Sequence, residues 1–487
     1  MPRKKIDREK VALQWRRTKI IATLGPASSS AAMIDRLIKA GVNVFRVNMS
    51  HGEHDSHRQT IQRVRRAAAR AGRHIAILMD LCGPKIRVGR FENGSIELKT
   101  GATVVVTTRP VVGRDGLIPS QFRSLHKDVT VGERILLDDG KLELEVKRID
   151  GRDLSCRVIE GGILSSHKGM NLPHSKLSVP ALTPKDREDV RLGVELEVDF
   201  LALSFVRSAR DVMQLRRYLG RLGAAIPVIS KIERPEAVDD IDSIMDASYG
   251  IMLARGDLGI ELPAERVPLI QMDLVRKSRQ KGVPIIIATQ MLESMMSSPR
   301  PTRAEVTDVA GATILSADAV MLSGETAVGQ FPLQAVETMD RVVREVERHR
   351  WRDGSFADEP IADRAGKALF VRESMAHAAV QLVRDLSIEA LIVPTHTGTT
   401  ANIMASHRPL APIVGATSDD RVCRRMALHW GLVPVQIESS ASRNWREICL
   451  YISGQCELGR SGQDILLVSG FNEDPRKSEP VLKLIHI

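Results

Sequence analysis

Apolar residues in this chain gather into eight short, β-rich runs, each closing on polar or glycine residues. They are Lys19–Leu24, Val42–Asn48, His74–Asp80, Asp199–Phe205, Ile226–Ile232, Gly250–Arg255, Val283–Thr289 and Ala319–Leu322. The runs are continuous in Ile, Val, Leu and Ala, as in strands covered on both faces of a parallel sheet. Between them the period changes. Ser29–Ala40 carries Met33, Ile34, Leu37 and Ile38, and Pro332–Glu347 sets Leu333, Val336, Met339, Val342, Val343 and Val346 on one helical stripe. Thr183 and Pro184 read as N-cap and first helical residue, and Gly41, Gly72 and Gly282 as helix stops. Strand–helix units repeating eight times, at roughly 25–35 residues each, predict a closed α/β (β/α)8 barrel, the TIM-barrel architecture, over an open doubly wound sheet.

One interval breaks this rhythm. About 90 residues are inserted after strand three, and SIELKTGATVVVTT, ERILLDDGKLELEVKRI and DLSCRVIEGGIL alternate apolar and polar positions. With turn signals at Asn93-Gly94 and Asp139-Gly140, the insertion predicts a small antiparallel β-barrel lid domain. Strand-to-helix loops emerge at the catalytic mouth of such a barrel, so the lid is expected there. After the polar stretch WRDGSFADEPIADRAG an α/β pattern restarts: helix Lys367–Arg384, strand Ala390–Pro394, helix Thr400–His407, strand Ile413–Ala416, and strands near Val433–Gln436 and Ile465–Val468. The expected division is a basic tail over 1–17, barrel over 18–86 and 180–350, lid over 87–179, and an open-sheet domain over 351–487.

Charge sharpens the functional range. The 487 residues carry a net charge of +10, but residues 1–19 hold eight Lys/Arg against Asp7 and Glu9. The surplus reads as a solvated basic tail, and the 9 Phe, 3 Tyr and 4 Trp are few for base stacking, so no nucleic-acid partner is expected. No apolar run approaches the ~20 residues of a membrane span, and Ile20–Ala22 is too short for a signal sequence. The five cysteines (82, 156, 423, 449 and 456) have neither zinc nor redox spacing. Together these point to a reduced, cytoplasmic enzyme or binding protein.

Barrel chemistry collects at the C-terminal ends of strands. Those positions hold Arg46, Asn48, Asp80, Ser204, Lys231, Glu233, Arg255, Asp257, Thr289, Ser323 and Glu325. Such a ring suits a small anionic substrate with a divalent cation. Lys231 and Glu233 share a strand face, either as a self-neutralising ion pair or as ammonium and ligand projecting into the mouth. Glu233 with Asp257 gives two oxygen ligands, the sparse set that suits Mg2+. The turn Ala254-Arg-Gly-Asp257 leaves backbone amides for a carboxylate or phosphate. His51, His54 and His57 read as a polar loop and first helical turn rather than a metal cluster. Thr395-His-Thr-Gly-Thr-Thr400, between a strand and a helix, offers hydroxyls and a helix start to a phosphate.

The segments TKIIATLGPAS, NVFRVNMSHG, SKIERPEA, IMLARGDLGIELP, IIIATQMLESM, PTRAEVTDVA and MLSGETAVGQFP, with HKGMNLP closing the insertion, resemble the pyruvate kinase family from about Thr18 to Pro332. APIVGAT and HWGLVPV extend the likeness more loosely into the C-terminal domain. The resemblance implies phosphoryl transfer from phosphoenolpyruvate to ADP, giving pyruvate and ATP. It implies Mg2+ (or Mn2+) on Glu233 and Asp257, and the Lys231 ammonium on the transferring phosphoryl group and the enolate oxygen. Arg46 would hold the phosphoryl group. The Gly256 and Asp257 amides and the Thr289 hydroxyl would take the carboxylate, Thr289 also organising the proton delivered to the enolate. Asn48, His51, Arg87 and Lys168 match nucleotide-side positions. A homotetramer is implied, and a sugar phosphate or AMP effector on Thr395, Thr397, Gly398, Thr399 and Thr400.

Three departures stand out. Asp80-Leu-Cys-Gly-Pro-Lys-Ile-Arg87 has Lys85 where the family usually has Glu. The family's K+ pocket corresponds to Asn48, Ser50, Asp80 and the Leu81 carbonyl. A tethered Lys85 ammonium beside it implies activity without K+. Val328 stands where many members have Lys, and Phe471-Asn-Glu-Asp-Pro lacks the usual Gly/Thr-rich text. A different phosphoenolpyruvate-using barrel would need a phosphorylatable His or another acid set. A dead sensor on this scaffold would be expected to have lost Lys231, Glu233 or Asp257.

Overall fold

The computed structural model describes residues 9–10, 12–173, 175, 178–357, 371–438, 445–458, 463–471 and 477–487. Eight parallel strands close into a barrel: Lys19–Leu24, Val44–Asn48, Ala76–Asp80, Phe200–Leu203, Val228–Ile232, Gly250–Ala254, Ile285–Ala288 and Ala319–Leu322. Closure is direct, since Lys19 pairs with Ala319 and Ala22 with Leu322. Several predicted runs begin about two residues early. Val42 and Ile75 are fully or almost fully buried, yet they pack beneath the helices just ahead of the ladder. Thr183 caps helix Pro184–Glu195 through a reciprocal box with Asp186. Gly72 and Gly282 end their helices at φ 59° and 65°.

Alternation along each strand builds the inside of the barrel. Its floor and middle are apolar: Ile21, Val44, Ala76, Leu78, Phe200, Ala202, Ile229, Met252, Ile286, Ala288, Ala319 and Met321 form one cluster. Two residues further along the same faces stand Thr23, Arg46, Asp80, Ser204 and Lys231, and then Asn48 and Glu233. The top of the core is therefore polar by the same periodicity that makes its base oily. The opposite strand faces pack on the helices in the largest core cluster.

The insertion forms a six-stranded sheet (Thr103–Thr107, Leu117–Pro119, Arg134–Leu137, Leu142–Asp150, Asp153–Glu160 and Met170–Asn171) and a two-stranded sheet (Ser95–Leu98 with Gly162–Ser165). The bridge Arg87–Gly169 ties its ends together, and Val88–Ser120 ties its start to its middle. One of its pairings, Thr103–Thr107 with Leu117–Pro119, is parallel, which a purely antiparallel expectation had no signal for. The C-terminal sheet has five strands in place of the four anticipated. The addition is Val481–His486, an antiparallel edge strand beside Asp464–Ser469. The start of the helix expected from Lys367 lies outside the described residues, and the described part is Val371–Asp385.

The basic N-terminal segment, expected as a solvated tail, is packed at its C-terminal end, while residues 1–8 lie outside the described residues. Arg16, Arg17 and Lys19 are buried under the barrel floor at 6%, 1% and 3% exposure. Arg16 pairs with Asp340, Glu347 accepts the Arg17 and Thr18 amides, and Lys19 Nζ donates to Leu432 O at 2.7 Å. Leu428, from the C-terminal domain and just ahead of HWGLVPV, joins the apolar cluster inside the barrel and plugs its lower end.

Candidate active site

The polar crown of the barrel is a linked charge network. Lys231 Nζ lies 2.8 Å from Glu233 Oε1 and 3.4 Å from Asp80 Oδ1, and donates to Ser204 Oγ at 2.8 Å. Asp80 Oδ2 accepts from Arg46 at 2.6 and 2.7 Å, and Arg46 Nη1 donates to Thr23 Oγ1 at 3.1 Å. Burial opposes the Lys231 charge, but Asp80 and Glu233 outweigh it, and its pKa is raised above the ordinary lysine value. Asp80 is also buried, and Lys231 and Arg46 still hold its pKa below the usual carboxylate value. Burial raises the Glu233 pKa, Lys231 pulls it down, and the neighbouring Asp257 charge pushes it up again.

Short strained segments set the remaining groups. Phe205, at φ 53°, turns its amide back to donate to Glu233 Oε2 at 2.8 Å. Thr289 and Gln290 sit at φ 66° and 53°, a region that costs a β-branched residue about 1–3 kcal/mol. Arg255 holds that conformation by donating to Thr289 O at 2.9 Å and Gln290 O at 2.7 Å. Gly256 N–H donates to Thr289 Oγ1 at 2.8 Å. The Gly256 amide expected to be free for a substrate carboxylate is thus committed to the hydroxyl expected beside it. A Cβ at position 256 would lie 3.3 Å from that oxygen, so glycine permits the approach.

Of the crown residues, Arg46, Asp80, Lys231, Glu233, Asp257, Gly256 and Thr289 are brought together as anticipated. Glu325 is instead a backbone brace, 3% exposed and accepting from Ser323 N and Leu292 N. Thr23 was missed, although counting two residues on from inward-facing Ile21 points to it. The nucleotide-side positions form a looser, more exposed rim. His51 is exposed, and its pKa is lowered first by partial burial and then by Lys85, Arg87 and Arg46. Lys168 on the lid pairs with Asp138 at 2.8 Å, and Arg87 donates to His167 O at 2.9 Å.

In the expected K+ pocket, Asn48 Oδ1 accepts from Ser50 N at 3.1 Å, and the Leu81 carbonyl is already bonded by Ser204 Oγ at 2.7 Å. Lys85 is exposed and lines the cleft under the lid beside Phe205 and Asp257. His54 pairs with Asp189 at 2.7 Å and His57 bonds the His51 carbonyl. Among the described residues, no group of three or more His, Cys, Asp or Glu could hold a metal ion. The Thr395 loop is tied internally: Gly398 N–H donates to Thr395 Oγ1 at 2.9 Å, the Thr397 and Thr399 hydroxyls lie 2.8 Å apart, and Thr400 Oγ1 reaches Phe471 O. Residues 472–476 of the facing loop lie outside the described residues.

A lysine held between carboxylates at the mouth of a (β/α)8 barrel capped by an inserted β domain defines a site suited to a small anionic substrate. The particular family is given by comparison. The family model described as pyruvate kinase, barrel domain, matches residues 15–336, and that described as pyruvate kinase, alpha/beta domain, matches 373–484. The chain belongs to the pyruvate kinase family. It is 45% identical to the Geobacillus stearothermophilus pyruvate kinase over 86% of this chain and 71% of that one. Against the Thermococcus litoralis pyruvate kinase it is 40% identical over 93% and 95%. A crystal structure of a pyruvate kinase from Cryptosporidium parvum superposes with a TM-score of 0.89 at 35% identity, covering 98% and 97%. Among the described residues, no helix is long and apolar enough to cross a membrane.

Proposed function

We propose that this enzyme transfers the phosphoryl group of phosphoenolpyruvate to ADP, working with Mg2+ or Mn2+ and without K+, in the cytoplasm. The observation that carries the reading is the Lys231 ammonium fixed between Asp80 and Glu233, with Asp257 close enough to perturb both ends of the pair. Phosphoryl transfer needs positioning and charge cancellation more than covalent help.

The donor set fits a divalent cation. Glu233 and Asp257 are two hard oxygen donors, and their mutual repulsion in a buried site is the charge excess that a cation relieves. When bound, the cation would neutralise phosphoryl and enolate charge. Lys231 would stabilise the transferring phosphoryl group and the developing enolate oxygen, where a preorganised ammonium acts most strongly. Arg46 would hold the phosphoryl oxygens with whatever of its guanidinium Asp80 leaves free. Thr289 Oγ1, which now accepts from Gly256 N–H and donates to the Ala288 carbonyl, would turn its O–H to the substrate carboxylate, and the Gly256 N–H so released would donate to it as well.

Arg87 and Lys168 supply the positive rim for the ADP phosphates, with His51 beside them as a hydrogen-bonding ring and the lid excluding water when it closes. Lys85 would supply the monovalent charge that the family's K+ provides elsewhere. A homotetramer, and a sugar phosphate or AMP held at Thr395–Thr400, complete the proposal.

Pyruvate formation from phosphoenolpyruvate and ADP with Mg2+ in tris buffer tests the core of it. Turnover that needs Mg2+ or Mn2+ and proceeds without K+ is the expected outcome. Light scattering checks the tetramer. Shifted substrate saturation on adding a sugar phosphate or AMP checks the effector loop.

A further inference from the structure

Arg234 follows Glu233 directly in the chain, and Glu261 closes the short helix Arg255–Glu261 that opens with Gly256 and Asp257. Their side chains are 4% and 2% exposed and form an ion pair at 3.1 Å. The same guanidinium donates to Leu172 O at 3.3 Å and Ser175 O at 3.2 Å, where the lid's chain returns to the barrel. Asn171 Nδ2, at the end of the lid's last strand, donates to Glu261 Oε1 at 3.4 Å. Arg234 also reaches Glu236 at 3.3 Å, and Arg207 takes the Val179 carbonyl at 2.8 Å. Among the described residues Glu261 Oε2 has no hydrogen-bond partner, and Glu261 lines the cleft between lid and barrel, about 620 Å³ of empty space partly open to solvent.

A buried ion pair is a poor device for stability alone, since apolar residues of similar volume often do as well. Its placement gives it another use. It bolts together the two segments that each supply one carboxylate to the mouth, and attaches both to the lid's returning strand. We propose that the Arg234–Glu261 pair is a positioning clamp that fixes the spacing of Glu233 and Asp257 and couples that spacing to the lid. This rests on reading those two carboxylates as the divalent-cation site. Neither clamp residue touches the reacting atoms. The clamp acts through the carboxylates it holds.

The test uses the full-length chain and Mn2+, with free ion counted by electron paramagnetic resonance, and kcat, KM and melting temperature measured alongside. Folded Arg234→Gln and Glu261→Gln are each expected to weaken Mn2+ binding by about tenfold or more, the usual effect of losing groups that orient metal ligands. kcat should fall more than KM for phosphoenolpyruvate rises, and the double variant should bind Mn2+ no worse than the weaker single, as for partners in one contact. Arg234→Lys keeps the charge but not the fork, and should fall between wild type and Arg234→Gln. It carries the test should the glutamine variant fail to fold. Unchanged Mn2+ affinity in folded clamp variants, with affinity lost in Glu233→Gln, overturns the clamp and leaves the cation site standing. Unchanged affinity in Glu233→Gln and Asp257→Asn overturns the cation site, and the clamp with it.

Discussion

The barrel carries buried charge at both ends, and the two ends treat it oppositely. At the mouth, Lys231 and Arg46 face Asp80 and Glu233, and the lysine's pKa rises. At the floor, Lys19 has a backbone carbonyl for a partner, and burial with Arg16 nearby lowers its pKa to about 7. There, Arg408 lies between Asp318 at 3.1 Å and the Trp430 ring at 5.0 Å, while Tyr249 bonds His429 at 2.6 Å. The mouth pairs its charges with one another at the open end of the barrel, where a substrate can displace present partners. The floor satisfies its cations with backbone carbonyls, aromatic faces and the carboxylates of Asp318 and Asp340, packed beneath the barrel. The first arrangement suits the proposed chemistry, and the second joins two domains.

Lys231→Met should separate the two most sharply. Loss of a charge aimed at the transition state costs on the order of 10²–10³-fold or more in kcat. The melting temperature should move little, because Arg46 still covers Asp80 and Glu233 can take up a proton. Steady-state turnover and calorimetry on the same preparation check both halves. A large stability loss with modest loss of rate would make Lys231 a structural residue.

Arg408→Met is the mirror experiment. It leaves Asp318 buried without its cation, which typically costs about 3–5 kcal/mol. Asp318 retains the Ile285 and Trp430 amides, so folding should survive below that limit. Turnover per folded molecule is expected to stay near wild type, as measured by assay after urea-midpoint calibration. A selective collapse of kcat would mean that the floor is coupled to the mouth.

How much of this contrast the sequence carries depends on periodicity. The mouth was legible because strand alternation and strand ends are local signals: Ile229, Lys231 and Glu233 follow one another at every second position. The floor was not. Arg16, Arg17 and Lys19 sit in a basic run that reads as a solvated arm, and their partners Glu347, Leu410 and Leu432 lie more than 300 residues away. No window of chain reveals a carbonyl as a lysine's partner. The lid's parallel pair and the edge strand Val481–His486 escaped for the same reason, since pairing partners are tertiary. Arg255 and Glu325 stood among the candidate mouth residues because structural braces and reacting groups occupy the same strand ends.

The floor also makes a smaller, pH-dependent prediction. Lys19 titrates near 7 when folded and at its ordinary value near 10.5 when unfolded. Between those values the unfolded chain binds more protons, so this group makes stability rise with pH across that window. His429, lowered by burial to about 4, does likewise between about 4 and 6.5, and its contribution is lost as acid charges it. Lys19→Met should flatten the rise in melting temperature between pH 7 and pH 9 while leaving the acid limb unchanged. An unaltered slope would show that Lys19 stays charged beside Leu432.

The smallest effect is expected at the rim of the mouth, from Lys85. Its side chain is exposed and it forms no ion pair among the described residues, unlike Lys231 a short way below. Exposed charges interact weakly through water, so Lys85 can replace a monovalent cation only by adding field near the substrate, and added salt should screen it. Turnover in sodium or tris buffer should therefore match turnover in potassium at equal ionic strength. Lys85→Glu, which changes the local charge by two units, should create a preference for K+ while leaving Mg2+ dependence as it was. K+ stimulation of the wild-type enzyme would detach Lys85 from the mouth and assign Asn48, Ser50 and Asp80 to a bound cation. Equal rates for wild type and Lys85→Glu in both buffers would show that the mouth's own Lys231 and Arg46 already supply the positive charge the reaction needs.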